Sequence, residues 1–185
     1  LTKVLNFYGG PGVGKSTTAT GVFSALKLRG VSCEYVNEYA KEITWEGTQK
    51  LLENQLHVFA EQTRRQWRLV GQVDYIITDS PLLLATVYLD YYNKSQQMFS
   101  PEYFDLTKKF FFATFDWFKN VNFVIRRNKQ YVTRGRNQTA EQAGEIDTLI
   151  TKLLAEHQIE PIYTDSQAAI ADVLAWFDQQ ETKGQ

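Results

Sequence analysis

The sequence predicts an α/β fold: three layers, a five-stranded parallel sheet between two sets of helices. Three observations lead there. Short apolar runs at residues 4–8, 31–36, 75–78, 121–125 and 160–163 have the length of strands. Between them lie longer stretches whose apolar residues recur at three- and four-residue steps, the alternation that builds a parallel sheet. Finally, 185 residues with 43% hydrophobic content and 4 prolines suit one core of ordinary size, so the chain, 1–185, is expected to be a single domain. No repeat, linker or low-complexity run divides it.

Taken in order, the first strand runs into Gly9-Gly10-Pro11-Gly12-Val13-Gly14-Lys15-Ser16-Thr17, and a helix is expected over 18–29 with Gly30 as its stop. The second strand leads to Asn37-Glu38-Tyr39-Ala40, the start of a further helical stretch. Leu52, Leu56, Phe59, Thr63, Trp67 and Val70 share one helical face, predicting a single amphipathic helix over 49–70, ended by Gly71. The third strand, bounded by Asp74 and Asp79, meets Ser80-Pro81, an N-cap and first-turn proline for the next helix. Residues 91–100 are polar with interspersed aromatics and are expected to form a loop; Ser100-Pro101-Glu102 then repeats the cap-and-proline start of a helix to about Phe118. After the fourth strand, 128–139 is polar around Gly135 and is expected to be a mobile lid. Thr139 and Gln142 have capping-box spacing ahead of Ile146, Leu149, Ile150, Leu153 and Leu154. Ile170, Val173, Leu174 and Phe177 mark a closing helix.

Composition bounds the function. The formal net charge of −1 gives no overall attraction to nucleic acid or membrane, and no apolar run approaches the ~20 residues needed to span a bilayer. Cys33 is the single cysteine, so no internal disulfide is possible, and no Cys/His cluster has metal-ligand spacing. The chain enters its first strand at once, leaving no room for a signal peptide. A cytoplasmic protein is expected, in the host cytoplasm if the gene is viral.

The glycine stretch carries the chemistry. Gly9, Gly14, Lys15 and Ser16 fill the pattern G-x-x-x-x-G-K-[ST], a P-loop, between a strand and a helix. There, backbone N–H groups and the positive end of the helix dipole converge on phosphate. Gly10, Gly12, Val13, Gly14, Lys15, Ser16 and Thr17 are therefore the candidate ATP-binding residues. Lys15 would reach the β- and γ-phosphates, and Ser16 would ligate Mg²⁺. The fold class is thus the three-layer P-loop NTPase fold.

Ligands of such sheets bind at the carboxyl ends of the strands. Asp79, after the third strand, is placed to hold Mg²⁺ or to accept a substrate proton; Glu38, after the second, to act as general base or to orient the substrate. Between Lys119 and Ala140 there is no acid, while Lys119, Arg126, Arg127, Lys129, Arg134 and Arg136 are present. This stripe could close over a triphosphate or contact a phosphate backbone, and Arg126 and Arg136 are its candidate catalytic residues. Phe104, Phe111, Phe115 and Phe118 read as core; Tyr88, Tyr91, Tyr92 and Phe99 could stack on a base. His57 and His157 are assigned no role.

Guanine recognition would need Asn-Lys-x-Asp, and Asn128-Lys129-Gln130-Tyr131 lacks the acid. A remodelling ATPase usually has an Asp-Glu pair where this chain has Asp79-Ser80. A small kinase fits the remaining features. On the P-loop together with Asn37-Glu38-Tyr39-Ala40-Lys41, Asp79-Ser80-Pro81-Leu82, Arg127-Asn128-Lys129 and Gly135-Arg136-Asn137-Gln138-Thr139, the chain resembles small P-loop kinases related to the nicotinamide riboside kinase domain of NadR. It is similar in particular to a branch found in bacteriophage genomes. The resemblance spans nearly the whole chain, although the lid and the residues after Asp79 differ from those of NadR, so nicotinamide riboside is not carried over. Some members of that branch phosphorylate 5-hydroxymethyluracil in DNA, a step toward hypermodified thymine that helps phage DNA evade host restriction. The resemblance therefore implies ATP- and Mg²⁺-dependent phosphorylation of a nucleotide-type hydroxyl, with DNA containing a hydroxymethylated pyrimidine favoured and a free nucleoside or nucleoside monophosphate as the alternative. The non-enzyme alternative is an ATP-gated binding module.

Overall fold

Val4 and Tyr8 on one side of the first strand, and Leu5 and Phe7 on the other, are all fully buried, as in a strand covered on both faces. The computed structural model describes residues 2–96, 99–128, 131 and 138–183, apart from the side chains of 95, 96 and 183. This strand, β1 (Lys3–Tyr8), is the middle of a sheet with β2 (Cys33–Val36), β3 (Tyr75–Thr78), β4 (Lys119–Arg126) and β5 (Ile162–Asp165). The order is β2-β3-β1-β4-β5 and every pair is parallel. The connecting helices are α1 (Lys15–Leu28), α2 (Tyr39–Trp45), α3 (Gln55–Trp67), α4 (Leu84–Gln96), α5 (Pro101–Asp116), α6 (Ala140–Glu156) and α7 (Ala169–Lys183).

The alternation along each strand sorts the core into two layers. Leu5, Phe7, Ile77, Phe123 and Ile125 pack beneath α1 and α7 through Val22, Leu26, Val173 and Phe177. Val4, Tyr8, Ile76 and Val124 pack beneath α3 to α6. On that second face Asn6, 1% exposed, donates its amide to Asn120 Oδ1 (2.9 Å) and Asn122 Oδ1 (3.1 Å), so neighbouring strands satisfy a buried amide. A third, small cluster of Ile43, Leu52 and Val58 joins α2 to α3 beside the carboxyl end of the sheet.

The expected fold class stands, and several elements differ in detail. The helix expected over 49–70 is broken: a 3₁₀ turn, Gln49–Glu53, precedes α3, and the Asn54 side chain caps α3 by accepting from the His57 N–H at 3.1 Å. Its buried face is also rotated. Gln55, Val58, Phe59, Gln62 and Gln66 are inside, while Leu56 and Trp67 are exposed. The helix expected at Ser80-Pro81 starts at Leu84; a turn intervenes, with Leu84 N–H on Pro81 O (3.0 Å) and Ala85 N–H on Leu82 O (3.1 Å). The loop expected over 91–100 is instead helical as far as Gln96, because Tyr88, Tyr91 and Tyr92 pack ring against ring at helical spacing. The fifth strand begins at Ile162 rather than at 160. The capping box at Thr139 and Gln142 forms as expected.

Candidate active site

Gly14, at φ 116°, makes the turn from loop into α1, a backbone conformation that side chains rarely adopt. It is also the N-cap of α1, so no side chain satisfies the first-turn N–H groups, and no acid lies in that turn. An uncapped, acid-free helix N-terminus with a lysine at its first position is a site for an anion. Lys15 Nζ rests meanwhile on the carbonyls of Gly9 (2.7 Å) and Gly10 (3.2 Å).

A cleft of about 370 Å³ opens at this point, lined on one side by Gly12, Gly14, Lys15, Ser16 and Thr17. Glu38, the N-cap residue of α2, lines the same cleft. Ala40, Leu52, Gln55, Tyr88 and Tyr92 line it as well. The Gln55 amide nitrogen is fixed on Leu52 O at 2.6 Å, and its Oε1 is buried with no hydrogen-bond partner among the described residues.

Asp79 lies at the end of β3, 1% exposed, with Oδ1 buried and unpartnered among the described residues. Burial above all, and then the neighbouring carboxylates of Asp79 and Glu38, push the Tyr35 hydroxyl well above its ordinary pKa. Burial followed by Glu38 does the same to Tyr88. The two acids therefore act on one small region. A buried oxygen without a partner and a serine hydroxyl at the helix start are hard oxygen donors of the kind Mg²⁺ takes. Among the described residues no three His, Cys, Asp or Glu side chains cluster as a dedicated metal cage.

Two networks hold these parts, and neither was visible in the sequence. Gln62 of α3, 3% exposed, clasps the backbone on both sides of Glu38: its Nε2 donates to Asn37 O (3.2 Å) and its Oε1 accepts from Tyr39 N–H (3.1 Å). Beside it Arg65 forks onto Glu42 with bonds of 2.7 and 2.5 Å and lies 4.8 Å from the Tyr39 ring centre. The second network grips the P-loop. Asp147 of α6 accepts from Gly10 N–H (2.5 Å) and from Arg127 Nε (2.9 Å), and Arg127 Nη2 donates to Pro11 O (2.9 Å). A Cβ on Gly10 would stand 2.5 Å from Ala143 O, so only glycine permits this approach.

The structure thus gathers Gly12, Gly14, Lys15, Ser16, Thr17 and Glu38 around one cleft, with Asp79 beside it. Gly10 and Val13 do not line it: the Gly10 amide is engaged by Asp147, and Val13 is fully buried under the loop. Arg126 also stands apart. It is exposed, with its guanidinium 4.6 Å from the Tyr163 ring centre, and it is its neighbour Arg127 that reaches the P-loop. Arg136 and most of the expected lid lie outside the described residues. Tyr88 and Tyr92 line the cleft; Tyr91 packs on them instead.

A glycine loop between a central parallel strand and an uncapped helix, in the strand order 2-3-1-4-5, defines a P-loop nucleoside-triphosphate-binding fold. Residues 4–169 match the family model described as an AAA domain, and the chain belongs to that family. Curated proteins give no match. Among solved structures, NadR in complex with NR has TM-score 0.66 and 18% identity, over 89% of this chain and 45% of that one. This chain therefore spans less than half of that protein. Deoxyadenosine kinase from M. mycoides with bound dATP has TM-score 0.63 and 14% identity, over 95% of this chain and 99% of that one. The same kinase with products dCMP and dCDP has TM-score 0.59. These likenesses establish the fold. Among the described residues, no helix is long and apolar enough to cross a membrane.

Proposed function

We propose that the protein is an ATP-dependent kinase that phosphorylates a hydroxyl on a nucleotide-type acceptor. The observation carrying this reading is one cleft lined together by an uncapped helix N-terminus with Lys15, a carboxylate, Glu38, and apolar and tyrosine side chains. The first half suits a triphosphate, and the second a base-sized group next to a proton acceptor. The likeness of fold to a deoxyadenosine kinase and to a protein holding NR supports the class of acceptor.

In the reaction, Glu38 takes the proton of the acceptor hydroxyl as its oxygen bonds to the γ-phosphorus, and the bond from that phosphorus to the leaving ADP oxygen breaks. First-turn amides of α1 and Lys15 hold the phosphates in line. Mg²⁺, held by Ser16 and Asp79 together with phosphate, would neutralise charge on the triphosphate. Gln55 Oε1 offers an acceptor to a base N–H, and Tyr88 and Tyr92 offer ring faces. Arg127, or lid residues including Arg136, would stabilise the moving phosphoryl group.

The favoured acceptor is the 5-hydroxymethyl group of 5-hydroxymethyluracil in DNA, a base reached by flipping it from the stack. Its support is the sequence resemblance to phage kinases together with the basic stripe. A free nucleoside is the second reading, favoured by the nucleotide-binding neighbours. Both would act where the chain is made, in the cytoplasm. γ-labelled ATP should be offered with nucleosides, nucleoside monophosphates, plain DNA and hydroxymethyluracil DNA in parallel. Label retained on the modified DNA supports the favoured acceptor, and label on a nucleoside replaces it with the second. Tight ATP binding with no labelled acceptor in any arm would favour the ATP-gated module and overturn the kinase.

A further inference from the structure

Leu56 and Trp67 were expected inside α3 and are instead 41% and 56% exposed. They do not stand alone. On α5, Tyr103, Leu106, Phe110 and Trp117 recur along one helical face at 39%, 58%, 56% and 54% exposure, while Phe111 and Phe115 of the same helix fill the core. The two faces adjoin. Trp67 stacks on Trp117 with ring centres 4.5 Å apart, and Phe59 meets Phe110 edge-on at 5.9 Å. Because Phe59 lies opposite Phe110 and Trp67 opposite Trp117, α3 and α5 run side by side in the same direction.

We propose that this α3–α5 face is the interface of a symmetric homodimer, its occupant a second copy of this chain. Area is the first argument. Six half-exposed large side chains present on the order of 600 Å² of apolar surface, taking roughly 150–250 Å² for each whole aromatic. That is above or at the top of what a monomer usually exposes and forms most of the ~800 Å² that each partner buries in a standard interface. Charge is the second, and it points to self-association. The tryptophan end of the face carries Arg64, Arg68 and Lys119 against Asp116 and Glu61, the latter already 3.1 Å from Arg64, and the opposite end carries the exposed acids Glu102 and Asp105 with one exposed base, Lys109, so the two ends still differ in sign. A two-fold axis perpendicular to the paired helices turns each end onto the other, bringing Arg64 and Arg68 of one copy toward Glu102 and Asp105 of its partner. An isologous interface requires that kind of self-complementarity.

Gln55 faces the cleft and Leu56, its neighbour, faces outward, so the four helices would back the acceptor wall without covering it. The inference rests on this face alone and stands whatever the acceptor proves to be.

The test is molar mass by light scattering and sedimentation over a wide concentration range. The full chain should run at twice its monomer mass of 21.4 kDa. Phe110→Asp and Leu106→Glu should each weaken association at least roughly 30-fold, as loss of a central anchor does, with circular dichroism and ATP binding retained. A charge exchange guards against variants that fail to fold. Arg64→Glu with Arg68→Glu should weaken the dimer, and adding Glu102→Lys with Asp105→Lys should restore it. A monomer at all concentrations, or a dimer that survives both the apolar variants and the charge exchange, overturns the proposal.

Discussion

Asp147→Ala removes the side chain that joins the P-loop to α6. Two bonds go: the 2.5 Å acceptance from Gly10 N–H and the 2.9 Å pair with Arg127 Nε. Gly10 is buried, so its N–H would be left without a partner, at a cost of about 1.5–3 kcal/mol for a hydrogen bond to a charged group. The ion pair adds less, ~0.2–1 kcal/mol, because its side chains keep 21% and 28% of their exposure and water screens them. A loss of roughly 2–4 kcal/mol lowers the melting temperature of a chain this size by about 5–15 °C. Asp147→Asn keeps an acceptor for Gly10 and gives up only the charge, so it should lose ~1 kcal/mol. In steady-state kinetics the alanine variant should raise KM for ATP about tenfold, since the loop no longer arrives in its binding shape. Calorimetry and ATP titration read both effects. An alanine variant within ~2 °C of the parent, with ATP affinity unchanged, would refute the latch.

Other outcomes follow from the same structure. Gln62→Leu should lower kcat about tenfold with KM for ATP unchanged, because it frees the backbone around Glu38 and leaves the P-loop alone; an equal fall in ATP affinity would contradict that separation. Arg127→Ala should weaken ATP binding severalfold, whereas Arg126→Ala, at the Tyr163 ring, should leave it within about twofold, a contrast that titration checks. Tyr35 and Tyr88 hold their protons above the ordinary tyrosine pKa, so near pH ~10 the unfolded chain releases protons that the folded one keeps. Their contribution to stability is complete below that pH and is lost progressively as pH rises from there toward the raised values of the folded state. Denaturant melts between pH 7 and 11 should show stability falling at the alkaline end, and less steeply in Tyr35→Phe.

What was legible in the sequence is what is local. The P-loop needs only consecutive residues, and Asp79 and Glu38 follow strands whose apolar runs mark their own ends. The networks around them are not local: Asp147 lies 137 positions from Gly10, and Gln62 lies 23 from Tyr39. Nothing in a glutamine's spacing announces that it will clasp another segment's backbone. That Arg127, rather than Arg126, reaches the P-loop was equally hidden. β4 ends at Arg126, whose guanidinium lies over the Tyr163 ring on β5, and Arg127, the first residue beyond the strand, reaches the loop at Pro11. In α3, burial of Gln55, Gln62 and Gln66 rotated the face expected from its apolar residues: Phe59 stays inside while Leu56 and Trp67 turn outward.

The most direct test of the central claim is a single-turnover experiment with γ-labelled ATP, Mg²⁺ and acceptor, comparing the parent with Lys15→Ala and Glu38→Gln. Label should appear on the acceptor hydroxyl with the parent and not with Lys15→Ala. Glu38→Gln should be slower by about 10²–10⁴-fold while still binding ATP. Label released only as inorganic phosphate whatever the acceptor, or transfer by Lys15→Ala at the parent's rate, would contradict it.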